Sequence, residues 1–429
     1  MSAAFITRTT KNNHAVSVFP VYIVGFMDLL GVSMILPLIG THVKEMGASP
    51  TMVGMIESVY GALQLFSSPV IGKWSDVAGR RLSLILCLIC SAFGYCLLGF
   101  ASSIMVLFLA RIPSGIFKHS LNICKSYIAD VVPASEQSSV LGWFNAASNI
   151  GFILGPTIGG HIAEHPEGFF LIANLAGLIF ITNAVIVWLL LPTTHRSAPK
   201  GLMRLDSIIS PKKLTSDEIQ FHPIAFFQYL QKIHWAKLWD MFIIRFLLGF
   251  SIILFRSNFG LMLKTRFDVS PVTNGYLISF TGTVSTICSS LVGYLTKFYK
   301  DEAKLFLHMS LLQVFILLFL GLCQSLTIFI VYLGLLSVAS SVMRATGTQL
   351  LLQRGSPHEG SGTLMGLSQS FMSIARMISP FIAGILMEIN ITLPAYFGAI
   401  ATLLASIFII IYPQDLRLPS ALKINKKIN

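Results

Sequence analysis

Charge is the first thing this sequence of 429 residues lacks: Asp, Glu, Lys and Arg make up 11% of it, against 54% hydrophobic residues. A soluble domain carries about a quarter of its residues as charges. The shortage therefore excludes a water-soluble enzyme and a disordered tail protein, and it places the chain in a membrane. Cysteine is scarce as well. Cys87, Cys90, Cys96, Cys124, Cys288 and Cys323 all fall inside apolar runs, which excludes a disulfide-knotted secreted module. Cys87-x-x-Cys90 has the spacing of a redox motif, but both residues read as small buried hydrophobes and leave the redox compartment open. No Walker loop Gly-x-x-x-x-Gly-Lys-Ser/Thr, metal-ligand cluster or nucleophile constellation occurs. ATP-driven pumping and catalysis thus have no support: the chain is expected to be no enzyme and to hold no cofactor or metal.

Long apolar runs are what the sequence has instead. A spanning helix needs about 20 predominantly apolar residues, and about twelve such runs follow one another between Val18 and Tyr412. The expected fold is all-α and membrane-embedded, with twelve transmembrane helices in two pseudo-symmetric six-helix bundles. Residues 1–17 would be a cytoplasmic N-terminus, 18–191 the first bundle, 192–238 a cytoplasmic linker, 239–412 the second bundle and 413–429 a cytoplasmic C-terminus. The first run is too long, and too well followed by other spans, to be a cleaved signal peptide. With the N-terminus in the cytoplasm, about 20 of the 30 Lys and Arg residues lie in inner segments, as bilayer orientation demands. Most of the net charge of +12 is then topology, and no nucleic-acid partner is implied. The polar stretch between the bundles reads as a solvated linker with an amphipathic piece, Phe221 to Leu230, suited to the inner membrane surface.

The halves repeat weakly. A shift of about 221 residues lays Ser68-Pro69-Val70-Ile71-Gly72 over Ser289-Ser290-Leu291-Val292-Gly293. Such duplication in membrane proteins serves a site near the midplane that is exposed to each side in turn.

Charges inside the apolar runs mark that site, because each costs at least about 2.5–3.5 kcal/mol at a helix centre unless it is paired or wet. Asp28 and Glu57 are the deep carboxylates; Arg111, Lys118, Lys125, Arg256, Arg344 and Arg376 are the deep bases, with Arg245 nearer the inner end. Arg111, Lys118 and Lys125 recur every seven residues and would stack on one inward face. The excess of base favours an anionic solute over a cationic one. Arg245 and Arg344 have a second reading, as ties from helix ends to backbone carbonyls. A carboxylate whose surroundings change with access can take up and release a proton. Asp28 is the first candidate for that role, with a static ion pair to Arg111 or Lys118 that holds the first helix as its second reading; Glu57 is placed nearer the outer rim, and His119 beside Lys118 is a relay candidate or a polar packing residue. Asn145, Asn149 and Gln369 occupy inward positions where amides can bond a solute or join helices.

Two motifs add mechanism. Gly72-Lys-Trp-Ser-Asp76-Val-Ala-Gly79-Arg80-Arg81 is a short inner loop between the second and third helices. In it Gly72 allows close backbone approach, Gly79 supports a tight turn, and Asp76 can neutralise a guanidinium or cap a helix. Gly151-Phe-Ile-Leu-Gly155-Pro156-Thr-Ile-Gly159-Gly160 in the fifth helix presents glycines four apart, a smooth face for tight helix contact and a dry hinge.

The first motif resembles the signature loop of the major facilitator superfamily, and the layout of two six-helix halves matches that family along nearly the whole chain. The glycine stripe, Asp28-Leu-Leu-Gly31 with Pro37, and Arg111-x-x-x-Gly115 resemble marks of its drug:proton antiporter, tetracycline-efflux-like branch. The run Ala110 to His119 resembles the animal "domain-containing protein nine" group of the superfamily. The resemblance implies a secondary transporter of a small organic solute that works by alternating access, with proton antiport as its coupling and no chemistry on the solute. It also implies a latch in which Asp76 binds across the bundle interface near Ser361 to Thr363. The equivalent second loop, Gly293 to Lys300, lacks the acid. The expected partners are a small organic solute, protons and the lipid bilayer, with a monomer as the working unit. A transport-inactive sensor or scaffold is the alternative.

Overall fold

Inside a bilayer every backbone N–H and C=O has to be paired within its own segment, so apolar runs of this length have only the helix available. The computed structural model describes residues 2–192, 235–299, 301–355 and 361–412, without the side chains of 2–17, 134, 135, 138, 236, 237, 361–363 and 366. Most of the expected linker, its amphipathic piece and the C-terminal segment lie outside those residues.

The described residues form fourteen helices and no strand. The first half consists of α1 (Ser2–Glu45), α2 (Pro50–Ala78), α3 (Arg80–Gly99), α4 (Ile104–Phe117), α5 (Ser120–Val131), α6 (Ala134–Ala163) and α7 (Gly168–Leu190). The second consists of α8 (Trp235–Arg256), α9 (Phe259–Phe267), α10 (Pro271–Tyr299), α11 (Glu302–Leu322), α12 (Leu326–Arg354), α13 (Ser361–Ile389) and α14 (Leu393–Ile411). Helix α8 begins inside the stretch assigned to the linker, and α1 reaches back to Ser2.

Local chemistry sets several ends. Ser49 accepts the Met52 N–H ahead of α2, Ser103 that of Val106 in α4, and Asp301 those of Ala303 and Lys304 in α11. Gly79 joins α2 to α3 at a φ of 90°, which a side chain would strain. Two spans are broken. The α4–α5 span parts at Lys118-His119, and the α8–α9 stretch parts at Ser257-Asn258.

Ten spans among the described residues are long and apolar enough to cross a bilayer; α2 and α6 are not among them. Both pack at the seam between the halves, α2 on α13 and α6 on α1 and α10. Around the outside, Phe93, Trp188 and Phe315 are exposed as a lipid-facing belt.

The halves meet at one end. A Cβ on Gly54 would run into the backbone carbonyl of Pro380, one on Gly384 into that of Pro50, and one on Gly160 into that of Pro271. Hydrogen bonds bind the same end: Lys264 Nζ to Glu45 Oε1 at 2.7 Å, Thr51 N–H to Glu388 at 3.2 Å, and His161 to Tyr276 at 2.8 Å. At the opposite end, which carries the α2–α3 loop, the halves stand apart. A Cβ on Gly72 or on its counterpart Gly293 would meet nothing within 4 Å. The close backbone approach expected at Gly72 is therefore not made here, because the splayed halves leave it no neighbour.

Candidate functional site

Between the halves lies a cavity of about 400 Å³. Its first-half wall carries Glu57, Tyr60 and Gln64 from α2 and Arg111 from α4; its second-half wall carries Arg256 from α8 and Arg376 from α13. Phe152, Ile252 and Leu333 supply apolar surface. The charged lining is thus three guanidinium groups to one carboxylate.

Arg111 is buried, with its guanidinium carbon 5.2 Å from the Tyr60 ring centroid and no hydrogen-bond partner for Nε. The electrostatic attraction between cation and ring face holds it without neutralising it. Glu57 forms no ion pair among the described residues, and it faces the cavity rather than the rim where it was expected. Among the described residues Arg256 reaches only the Ser337 hydroxyl, at 3.5 Å. Asn258, at the break between α8 and α9, is 2% exposed and lines the cavity with neither amide atom partnered. Leaving buried polar atoms unpaired costs about 1–3 kcal/mol each, so these groups are disposed toward a ligand.

Asp28 lies behind the cavity wall and is completely buried. Lys118 Nζ donates to its Oδ2 at 2.5 Å, and the Ser120 hydroxyl donates to its Oδ1. The ammonium also sits 4.6 Å from the Phe180 ring centroid. Gln64 connects this pair to the cavity: its amide donates to the Lys118 carbonyl at 3.2 Å and to the Tyr60 hydroxyl at 3.3 Å. His119 is bonded to Ser67 at 2.8 Å.

The expected basic stripe is corrected by the break in its helix. Seven-residue spacing stacks side chains only along an unbroken helix, and α4 ends at Phe117. Arg111 faces the cavity, Lys118 turns to Asp28, and Lys125 is exposed beyond the break. Asn145, Asn149 and Gln369 are also exposed and lie off the cavity, toward the splayed end.

Arg80 organises the signature loop. It pairs with Asp76, with Asp130 at 2.8 Å and with the Ser75 hydroxyl at 2.6 Å, while Arg81 donates to the Trp188 carbonyl. Asp76 is thus held within its own half, and the side chains of Ser361 to Thr363, its expected partners, lie outside the described residues. The glycine stripe packs α6 on α1: a Cβ on Gly151 would meet the Phe26 carbonyl, one on Gly155 the Ser33 hydroxyl and one on Gly159 the Met34 carbonyl. Gly160 and Pro156 face α10 instead, at Pro271 and Gly275.

Sequence reading missed two groups. Asp240 is fully buried against Arg354 Nη1 at 2.9 Å, so Asp28 and Glu57 are not the only deep carboxylates. Asn258 was passed over although Ser257-Asn258-Phe259-Gly260 interrupts an apolar run, a visible sign of a helix break. Arg245 and Arg344 bind the Thr348 and Ser341 hydroxyls, at 3.0 and 2.9 Å.

The family model of the Major Facilitator Superfamily matches residues 21–312 and 241–427. The chain belongs to that superfamily. It is a multi-pass integral membrane protein of a transporter family, not of an enzyme family. It is 26% identical over 411 residues to the quinolone resistance protein NorA of Staphylococcus aureus, covering 93% of this chain and 97% of that protein. Its fold is similar to the human organic anion transporter MFSD10 (TM-score 0.64, 21% identity, covering 92% of this chain and 99% of that one). It is also similar to a bacterial homologue of the human lysosomal transporter Spinster in an inward-facing, unoccupied conformation (TM-score 0.71, 15% identity, covering 93% and 95%).

Proposed function

We propose that this protein is a secondary transporter that moves a small organic anion by alternating access, in exchange for protons handled at Asp28. The observation that carries the reading is the cavity lining: Arg111, Arg256 and Arg376 against Glu57 alone, between halves joined at one end and parted at the other. A net positive, partly apolar cavity selects an anion with an apolar body. MFSD10 is an organic anion transporter by its description, which accords with this charge; NorA, a quinolone resistance protein, accords with efflux.

With the termini in the cytoplasm, the splayed end is the cytoplasmic one and this conformation receives solute from inside. Residues 18–191 and 239–412 act as the two moving bodies, with 192–238 linking them, and one chain suffices. Asp28 releases Lys118 when protonated, and Gln64 passes that change to Tyr60 and Arg111 in the cavity. The run Ala110 to His119 supplies both Arg111 and Lys118, and through it we place the chain beside the animal "domain-containing protein nine" group in the drug:proton antiporter branch.

The test is reconstitution in proteoliposomes, with solute flux and lumenal pH followed for a panel of organic anions and cations, alongside Asp28→Asn. Anion flux linked to protons, with the linkage lost in Asp28→Asn while binding survives, is the expected result. Binding without flux would transfer the protein to the sensor or scaffold class. Flux of cations in place of anions would overturn the charge argument.

A further inference from the structure

Asn258 stands where the chain turns out of α8 and into α9, and its side chain is used by neither helix. At the N-cap position of a helix an asparagine ordinarily accepts a backbone N–H of the first turn. Here no such bond forms, and only the Asn258 main-chain carbonyl serves α9, accepting the Met262 N–H at 2.9 Å. Its neighbour Ser257 does turn back, donating to the Ile253 carbonyl at 2.7 Å. The carboxamide is left buried, with Nδ2 and Oδ1 both unpartnered among the described residues. The turn that carries it is fixed from outside: a Cβ on Gly260 would meet the Pro37 carbonyl, so the start of α9 is pressed against α1.

Space decides where a partner can come from. On one side Asn258 borders a hollow of about 10 Å³, lined with Met262, Arg266 and Thr392, which has room for at most one water. On the other it borders the cavity of about 400 Å³ between the halves. A solute therefore meets the amide from the cavity. Arg256 ends α8 two residues earlier and lines the same cavity, so the two Cα atoms lie within about 7 Å of each other by chain geometry alone. The guanidinium offers donors only, whereas the carboxamide offers a donor and an acceptor on one planar edge. Such an edge is matched by a group that presents an N–H and an acceptor side by side, as asparagine matches the adenine edge in DNA.

We propose that Asn258 is a specificity-determining residue of the cavity, which binds a primary amide, lactam or nitrogen-heterocycle edge on the body of the solute while Arg256 holds its anionic group. The class of ligand is a carboxylate or other oxyanion that also bears such a planar donor and acceptor edge. The proposal rests on the anion-transport reading, and its own content is the neutral group and the residue that selects it.

The test uses the full chain in phosphatidylcholine nanodiscs, with binding to lipid-only discs subtracted. The probes are three benzoates alike in charge and shape: 4-carbamoylbenzoate, 4-acetylbenzoate and 4-isopropylbenzoate, which carry both polar groups, the carbonyl alone and neither. In equilibrium dialysis Asn258→Leu should bind the carbamoyl compound about tenfold more weakly than the wild type does, the effect of a buried hydrogen-bonding group left unmatched. It should bind the acetyl compound with a smaller loss and the isopropyl compound with none. Asn258→Ala should give the same order of losses, and Arg256→Gln should weaken all three to the same degree. Equal losses across the series in the Asn258 variants would show that the residue shapes the helix break, and unaltered binding would show that its amide meets only water. Either result overturns the proposal and leaves the anion reading intact. No binding of any probe by the wild type would overturn both. The neutral methyl ester of 4-carbamoylbenzoate separates them from the other side: binding as tight as that of the acid, still lost in Asn258→Leu, would overturn the anion reading and keep the role of Asn258.

Discussion

Asp28→Asn removes the counter-charge of Lys118, whose side chain is 7% exposed and, among the described residues, retains only the Ser120 hydroxyl at 3.2 Å and the Phe180 ring. Breaking a buried pair from one side costs about 3–5 kcal/mol, and the cation–ring contact is already made in the wild type and returns none of it. The expected loss is therefore about 3–5 kcal/mol. Lys118→Met strands a carboxylate that has no exposure and no ring face suited to it; the expected loss is again about 3–5 kcal/mol. If the two acted independently, the double substitution would lose about 6–10 kcal/mol. Replacing both charges leaves no stranded ion, so the double variant should instead lose about 1–2 kcal/mol, a coupling of at least about 4 kcal/mol.

Thermal unfolding in nanodiscs reads this ordering directly: wild type first, the double variant close behind, both single variants well below. Additive losses would refute the pairing argument. The same double variant also separates two roles for Asp28. A pair that only holds α1 to α5 would be replaced adequately by the neutral side chains, and solute flux would persist with its proton linkage. A carboxylate that carries the proton cannot be replaced so, and the stable double variant would move no protons.

Other perturbations test the frame around this pair. Gly159→Val drives a branched side chain into the Met34 carbonyl and should lower the unfolding temperature by overpacking worth about 1–3 kcal/mol, whereas Gly72→Ala, with open space around it, should leave it unchanged. Gly54→Val cannot keep α2 against the Pro380 carbonyl; it should part the halves at that end, read as increased labelling of a cysteine introduced at Thr51. Asp240→Asn strands Arg354 and should cost about 3–5 kcal/mol in the same unfolding assay. Arg376→Gln should weaken binding of organic anions at least about tenfold, the effect of losing one charge-assisted bond of about 1.4 kcal/mol or more, without weakening cations in equilibrium dialysis.

The helical frame was legible because hydropathy and the restriction on unpaired backbone act on composition alone, as the runs around Val18 and Leu393 illustrate. The two spans of lowest apolarity, α2 and α6, were still found, since an interface helix keeps enough apolar residues to be counted while its polar ones serve the seam. The signature loop and the glycine stripe were legible because each is contiguous in sequence. Reading charges one helix at a time was sound for Arg111 and Arg256, which reach the cavity from their own helices. It put Lys118 on a cavity stripe, where the helix break instead leaves the ammonium on Asp28 of α1, the pairing the sequence had also allowed, and it missed Asp240, whose burial depends on Arg354 from a helix more than a hundred residues away. Both failures have one cause. A membrane charge is classified by its partner, and the partner is a property of packing between helices. A count of deep bases can therefore show that this protein has surplus positive charge, but only their surroundings divide the bases that hold the fold from the bases left for a ligand. Lys118 and Arg354 have buried carboxylate partners, whereas Arg111, Arg256 and Arg376 line the cavity with no ion pair among the described residues.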